Sequence, residues 1–325
     1  MIKKLLFLFL SCFSLLTGSS VQAQAVASDL VVAQDGSSSY KTIQEALAAV
    51  PAGKAKRTII FIKPGTYKEK LVVPADKMNI SFIGENKDNT RITFDDHSGK
   101  GNINTATSYT VLVKGDGFRA ENITFENTAG RDAGQAVALH VAADKCVFQN
   151  CNIIANQDTY FASADKSRQY FKNCYIEGTT DFIFGSATVV FEDCTIDSKK
   201  NSYITAASTP QEKPFGFVFI NCKLTASPEA TQVYLGRPWR NYARTVFIRC
   251  ELGSHILPAG WHNWKKPEAE ATAFYAEYKS QGSGANNNGR VPWSKQLTRK
   301  EVRQYTVKNI LSGTDAWNPL TSDHP

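Results

Sequence analysis

The chain contains no Cys-x-x-Cys pair and no grouping of cysteine with histidine, so nothing in it points to a zinc site. It also lacks a Gly-x-Ser-x-Gly elbow, and its five histidines fall outside the recurring segments described below, which disfavours a Ser-His-Asp hydrolase. No acidic cluster makes a clear calcium site. Beyond the N-terminal leader, no apolar run has the length of a membrane span. Neither sign of charge dominates: 37 basic residues face 30 acidic ones, a formal net charge of +7. That excess suits a polyanionic partner without identifying one, and no nucleic-acid partner is expected.

Residues 1–23 read as a secretory leader. Lys3 and Lys4 precede an apolar run from Leu5 to Leu16, and Val21-Gln22-Ala23 has the form of a cleavage site. The expected mature chain begins near Gln24, forms a single domain over 24–325, acts as a monomer and is exported to the periplasm or the medium.

A six-residue phrase then recurs: Phe148-Gln-Asn-Cys151-Asn-Ile153, Phe171-Lys-Asn-Cys174-Tyr-Ile176, Phe191-Glu-Asp-Cys194-Thr-Ile196, Phe219-Ile-Asn-Cys222-Lys-Leu224 and Phe247-Ile-Arg-Cys250-Glu-Leu252. The period lies in the twenties, the phrases alternate apolar with polar residues, and turn formers bound them. This is the pattern of an all-β solenoid, a right-handed parallel β-helix. Phe118-Arg-Ala-Glu121-Asn-Ile123 reads as an earlier rung with Glu121 in the cysteine position. The phrase cysteines should form an inward ladder of unpaired thiols. Side chains in register on parallel strands lie about 4.7–4.9 Å apart, whereas bonded Cβ atoms need roughly 3.5–4.5 Å. The state of Cys146 stays open. Short helices should cover the ends, one through Tyr40, Ile43, Ala46, Leu47 and Val50. A second should run from the capping box Thr298-Arg-Lys-Glu301 to about Asn309. Gln281 to Arg290 reads as a surface loop.

Two aspartates, Asp158 and Asp181, each lie seven positions after a phrase cysteine. Equivalent places on adjacent coils would put their carboxylates roughly 5 Å apart. At an effective dielectric near 20, two full charges there repel by about 3 kcal/mol, or roughly two pKa units. One acid should keep its proton while the other ionises, as a general acid and a carboxylate nucleophile require. A lone aspartate on such a face would more simply bond to backbone. Here Gln157 adjoins Asp158, and Gln135 falls one coil earlier if the loop from Asn127 to Gly134 is longer than its counterparts. Two amides beside two acids suggest an oxyanion hole, which favours acyl transfer over a retaining glycosidase. Arg237, 56 residues beyond Asp181, could pair with it and keep it ionised.

Several segments together resemble the pectin methylesterases, the β-helical carbohydrate esterases. They are Gly65-Thr-Tyr67-Lys-Glu69, Gly134-Gln-Ala-Val-Ala-Leu139, Gln157-Asp-Thr159, Asp181-Phe-Ile-Phe-Gly185 and Leu235-Gly-Arg-Pro-Trp239. Gly260-Trp261 with Trp264, Glu277-Tyr278 and Arg290-Val-Pro-Trp293 follow in the family's order. The likeness spans Leu30 to Trp317. It implies hydrolysis of C6 methyl esters in pectin, a polygalacturonate chain, without metal or cofactor. Asp181 would be the nucleophile, Asp158 the general acid and then base, Gln135 and Gln157 the oxyanion donors, and Arg237 the partner of Asp181. Trp239 and Phe184 would line the sugar cleft. Tyr160-Phe161 inverts the family's usual order of plain side chain then tyrosine, and both residues are expected to border the cleft. Alternatives are an esterase or thioesterase for another acyl group, a non-catalytic polysaccharide-binding solenoid and a β-helical pectate lyase.

Overall fold

The computed structural model describes residues 28–321, so the expected leader and cleavage site lie outside the described residues. One phrase shows how the chain winds. Cys146–Gln149 is a strand, Asn150 turns in the left-handed region at φ 50°, and Asn152–Ile154 is the next strand. The same turn recurs at Asn173, Asp193, Asn221 and Arg249, always one residue before a cysteine. Asn and Asp tolerate this conformation better than most side chains. Each phrase therefore bends at one corner, and strand alternation sends its Phe, Cys and Ile or Leu inward.

Stacking the coils produces three parallel sheets of eleven, eight and seven strands among the described residues. The fold is a parallel β-helix. Phe148, Phe171, Phe191, Phe219 and Phe247 pair in register, and their rings stack with centroids 4.5, 5.2, 4.5 and 4.4 Å apart. A second row joins Ile153, Ile176, Ile196, Leu224 and Leu252. All six described cysteines, Cys146 included, are buried and unpaired. Their sulfurs are part of the backbone network instead: the Cys151 and Cys174 amides donate to Cys174 Sγ and Cys194 Sγ, each at 3.4 Å.

The earlier rung differs in register from the expectation. Ala120 pairs with Phe148 and Glu121 with Gln149, so Asn122, at φ 56°, makes the corner and Ile123 takes the buried place. The left-handed asparagine, rather than the aromatic, fixes the frame. Glu121 thereby points outward, only partly buried, and its charge stays out of the core.

At the N-terminal end, Ile43–Ala49 is a helix whose Thr42 and Glu45 exchange capping hydrogen bonds, and Ile43, Ala46 and Leu47 pack into the core. At the other end the Thr298–Glu301 capping box forms, but the helix expected to reach Asn309 is split. A 3-10 turn over Glu301–Gln304 stops at Tyr305, and a helix restarts over Val307–Leu311 with Thr306 as its cap. Tyr305, Val307, Ile310 and Leu311 lie on Tyr170, Val190 and Val218, outward-facing residues of the eleven-stranded sheet. That apolar face needs a cover, and the C-terminal segment supplies it. Arg168 fastens the segment by pairing with Asp144 and Asp315 and donating to the Leu311 and Ser312 carbonyls.

The loop from Gln281 to Arg290 is mostly exposed, yet it ends in a buried ion pair. Arg290 meets Glu277 at 2.7 and 3.1 Å, both side chains are 4% exposed, and the guanidinium also donates to the Leu257, Pro258 and Gly284 carbonyls. Removing one partner strands a charge. Arg290→Met is expected to cost about 3–5 kcal/mol in denaturant unfolding, and adding Glu277→Leu should recover much of the loss.

Candidate active site

The seven-stranded sheet carries the cleft. Its strands Tyr160–Ala162, Ile183–Gly185, Tyr203–Ala207 and Tyr234–Pro238 align Phe161, Phe184, Ala206 and Arg237 in one outward row. Two residues ahead of the first two strands sit Asp158 and Asp181, with φ 63° and 50°. Aspartate is one of the few side chains that accept this backbone, and holding it costs some stability. The ladder steadies both turns, because the Asp158 amide donates to Thr180 O at 3.1 Å and the Asp181 amide to Tyr203 O at 2.8 Å. Gln135 and Gln157 face each other across a parallel bridge, which places Gln135 one coil before Gln157. The longer loop between Asn127 and Gly134 accounts for that offset.

These side chains converge on a cleft of about 340 Å³. Gln135, Gln157, Asp158, Asp181 and Arg237 form its polar part, Phe161, Phe184, Trp239 and Trp264 its aromatic part, and Thr105 and Ala106 one wall. Arg237 grips Asp181 with two hydrogen bonds, Nε to Oδ1 at 2.9 Å and a terminal nitrogen to Oδ2 at 2.6 Å. The guanidinium is itself fixed, with Cζ 3.9 Å from the Tyr203 ring centre and 3.6 Å from that of Trp264. A planar cation held between two rings can present both donors only in one plane, so it orients the carboxylate as well as neutralising it.

The two acids differ for this reason. Burial pushes both carboxyls above the ordinary carboxylate range. For Asp181, the hydrogen bonds and charge of Arg237 oppose that rise. For Asp158, the negative Asp181 adds to it, and Arg237 offsets it only through its charge. Asp158 is thus the better proton holder and Asp181 the better anion. Within the described residues, no side-chain hydrogen bond engages the Asp158 carboxyl or the Gln135 and Gln157 carboxamides, which leaves these groups available to a ligand.

Tyr160 does not border the cleft. Alternation turns it into the core, where it is fully buried, packs edge-on against Phe171 and Phe191, and bonds through its hydroxyl to Gln169. Phe161 faces outward in its place, stacked on Phe184 at 4.4 Å and 5°. The inverted order of this pair therefore puts the hydroxyl inside and a plain ring on the cleft floor. Phe184 lies in the cleft lining with Trp239 at 5.9 Å. Sequence reasoning assigned no role to Trp264, Tyr203, Thr105 or Ala106. Trp264 adopts φ 58°, an unusual conformation for so large a side chain, which spacing alone does not reveal.

Comparison with known proteins identifies the family of the chain as a whole. A family model described as Pectinesterase matches residues 29–314. Pectinesterase 31 of Arabidopsis thaliana is 40% identical over 290 residues, covering 86% of this chain and 91% of its own. The chain spans about half of another relative, Probable pectinesterase/pectinesterase inhibitor 64 of the same plant, which is 39% identical and matched over 52% of its length. Among solved structures, pectin methylesterase from carrot superposes with a TM-score of 0.87 at 38% identity, covering 93% of this chain and 98% of that one. A parallel β-helix with these motifs in this order, matched along nearly its whole described length, belongs to the pectinesterase family.

Proposed function

We propose that the protein is a pectin methylesterase that hydrolyses C6 methyl esters of homogalacturonan and releases methanol. The observation that carries the proposal is the asymmetry of the two acids, one clasped by Arg237 and the other paired with no cation among the described residues. An Asp181 oxygen attacks the ester carbonyl carbon, and the carbonyl oxygen takes up negative charge beside the Gln135 and Gln157 amides. As the bond to the methoxy group breaks, Asp158 gives its proton to the departing oxygen, leaving methanol and an Asp181 anhydride. Water then attacks the acyl carbon while Asp158 takes back a proton. The anhydride bond between the acyl carbon and the Asp181 oxygen breaks, Asp181 is restored as a carboxylate, and the galacturonic acid departs and gives its remaining proton to solvent.

The aromatic platform of Phe161, Phe184 and Trp239 favours a pyranose chain over a small acyl ester, since ring faces pack on sugar faces. The paired amides favour an ester carbonyl over the glycosidic bond that two nearby carboxylates could also attack. All of these residues come from one chain, so a monomer suffices. Export, expected from the leader, suits a polymeric substrate. Among the described residues no helix is long and apolar enough to cross a membrane.

Methanol release from highly methylated homogalacturonan tests the reading, and activity confined to small acyl esters or thioesters would overturn it. In the same assay Gln157→Ala is expected to lower kcat by about 10²- to 10³-fold, because one preorganised oxyanion donor is lost.

A further inference from the structure

One imidazole ties together three parts of the cleft. His140 pairs in register with Phe161 on the seven-stranded sheet and is 7% exposed. Its ring stacks on Phe161 at 4.3 Å and 25°, and Phe161 stacks in turn on Phe184. On its edges, Nδ1 lies 3.2 Å from the Ala106 carbonyl oxygen and Nε2 lies 2.7 Å from Ser163 Oγ. Ala106 belongs to the cleft wall, and Ser163 lines the groove that continues past Trp239.

The partners dictate the tautomer. A carbonyl can only accept, so Nδ1 carries the hydrogen, and a neutral ring then uses Nε2 to accept from the Ser163 hydroxyl. Burial, with Lys114 acting in the same direction, pushes the His140 pKa down to about 4 and keeps the ring neutral. The wall turn Thr105–Thr107 is fixed carbonyl by carbonyl. Ser108 Oγ donates to Thr105 O at 2.8 Å, His140 to Ala106 O, and Lys70 Nζ to Thr107 O at 2.8 Å.

We infer that His140 is a positioning residue that sets the gap between the wall at Thr105 and Ala106 and the floor at Phe161 and Phe184, and with it the grip on the sugar chain. This role rests on the pectinesterase reading of the cleft. Both ring nitrogens of His140 are engaged with Ala106 and Ser163 rather than with the acids or the amides, so its loss should appear in KM rather than kcat.

The test compares steady-state kinetics on highly methylated homogalacturonan for the wild type, His140→Phe, His140→Asn and Ser163→Ala, with hexagalacturonate affinity measured by calorimetry on each. His140→Phe keeps a ring under Phe161 but loses both hydrogen bonds. Its KM is expected to rise about tenfold with kcat within about twofold of the wild type. His140→Asn restores an amide donor near Ala106 O and should recover part of the affinity. Unchanged KM in His140→Phe, or a fall in kcat at unchanged KM, overturns the inference, because a purely structural residue would reduce only the amount of working enzyme. If His140→Phe does not fold, Ser163→Ala decides, with a KM rise of about threefold expected and no rise overturning it. A wild type that releases no methanol would instead count against the pectinesterase reading, and the calorimetric affinities would still decide the role of His140.

Discussion

Asp181→Asn is expected to lower methanol release by on the order of 10⁴-fold or more while leaving the β-helix intact. The amide has the shape of the carboxylate but no anionic lone pair to attack an ester. Asparagine also accepts the left-handed backbone that Asp181 adopts at φ 50°. Alanine would add strain there, so Asn is the cleaner variant. Arg237 loses its anion in this change, yet the Tyr203 and Trp264 rings continue to hold the guanidinium. Circular dichroism should show an unchanged fold, with a lower melting temperature because a partly buried cation has lost its anionic partner. Retention of more than about a hundredth of the activity in a folded variant would remove Asp181 from the nucleophile's role.

Asp158→Asn gives a different pair of effects. The rate is expected to fall about 10²- to 10⁴-fold, the usual contribution of a positioned proton donor. In the wild type, activity should rise with pH as Asp181 ionises and fall as Asp158 loses its proton. The falling limb should vanish from the residual activity of the variant. Stability moves the other way. The Asp158 carboxyl sits well above the range near 3.9 that it has in an unfolded chain, so it favours folding at low pH. That contribution is lost as pH rises through the folded value. A neutral amide escapes the loss, so the variant should melt higher than the wild type at neutral and alkaline pH, and equal or lower melting there would refute the assigned protonation.

The residues that repeat in space were the ones legible in sequence. Phe, Cys and Ile recur because each coil presents the same corner to its neighbour, and that recurrence led to the sheets, the thiol ladder and the placement of Asp158 and Asp181. The earlier rung misled because an aromatic was taken as its frame, whereas the left-handed Asn122 defines it. Tyr160 misled because nearness to Asp158 in sequence suggested nearness to the cleft. One step of strand alternation separates an outward Phe161 from a buried Tyr160. Trp264 and the Thr105–Ala106 wall come from loops whose course follows no period, so their approach to Arg237 and His140 needed coordinates.

The row of sealed sulfhydryls has a practical consequence. Cys151, Cys174, Cys194, Cys222 and Cys250 each belong to a different turn of the solenoid, and all are shut away from water. An alkylating reagent can reach one of them only when its own turn opens. Mass spectrometry of alkylated peptides would then report which part of the spiral loosens first, with no label engineered into the protein.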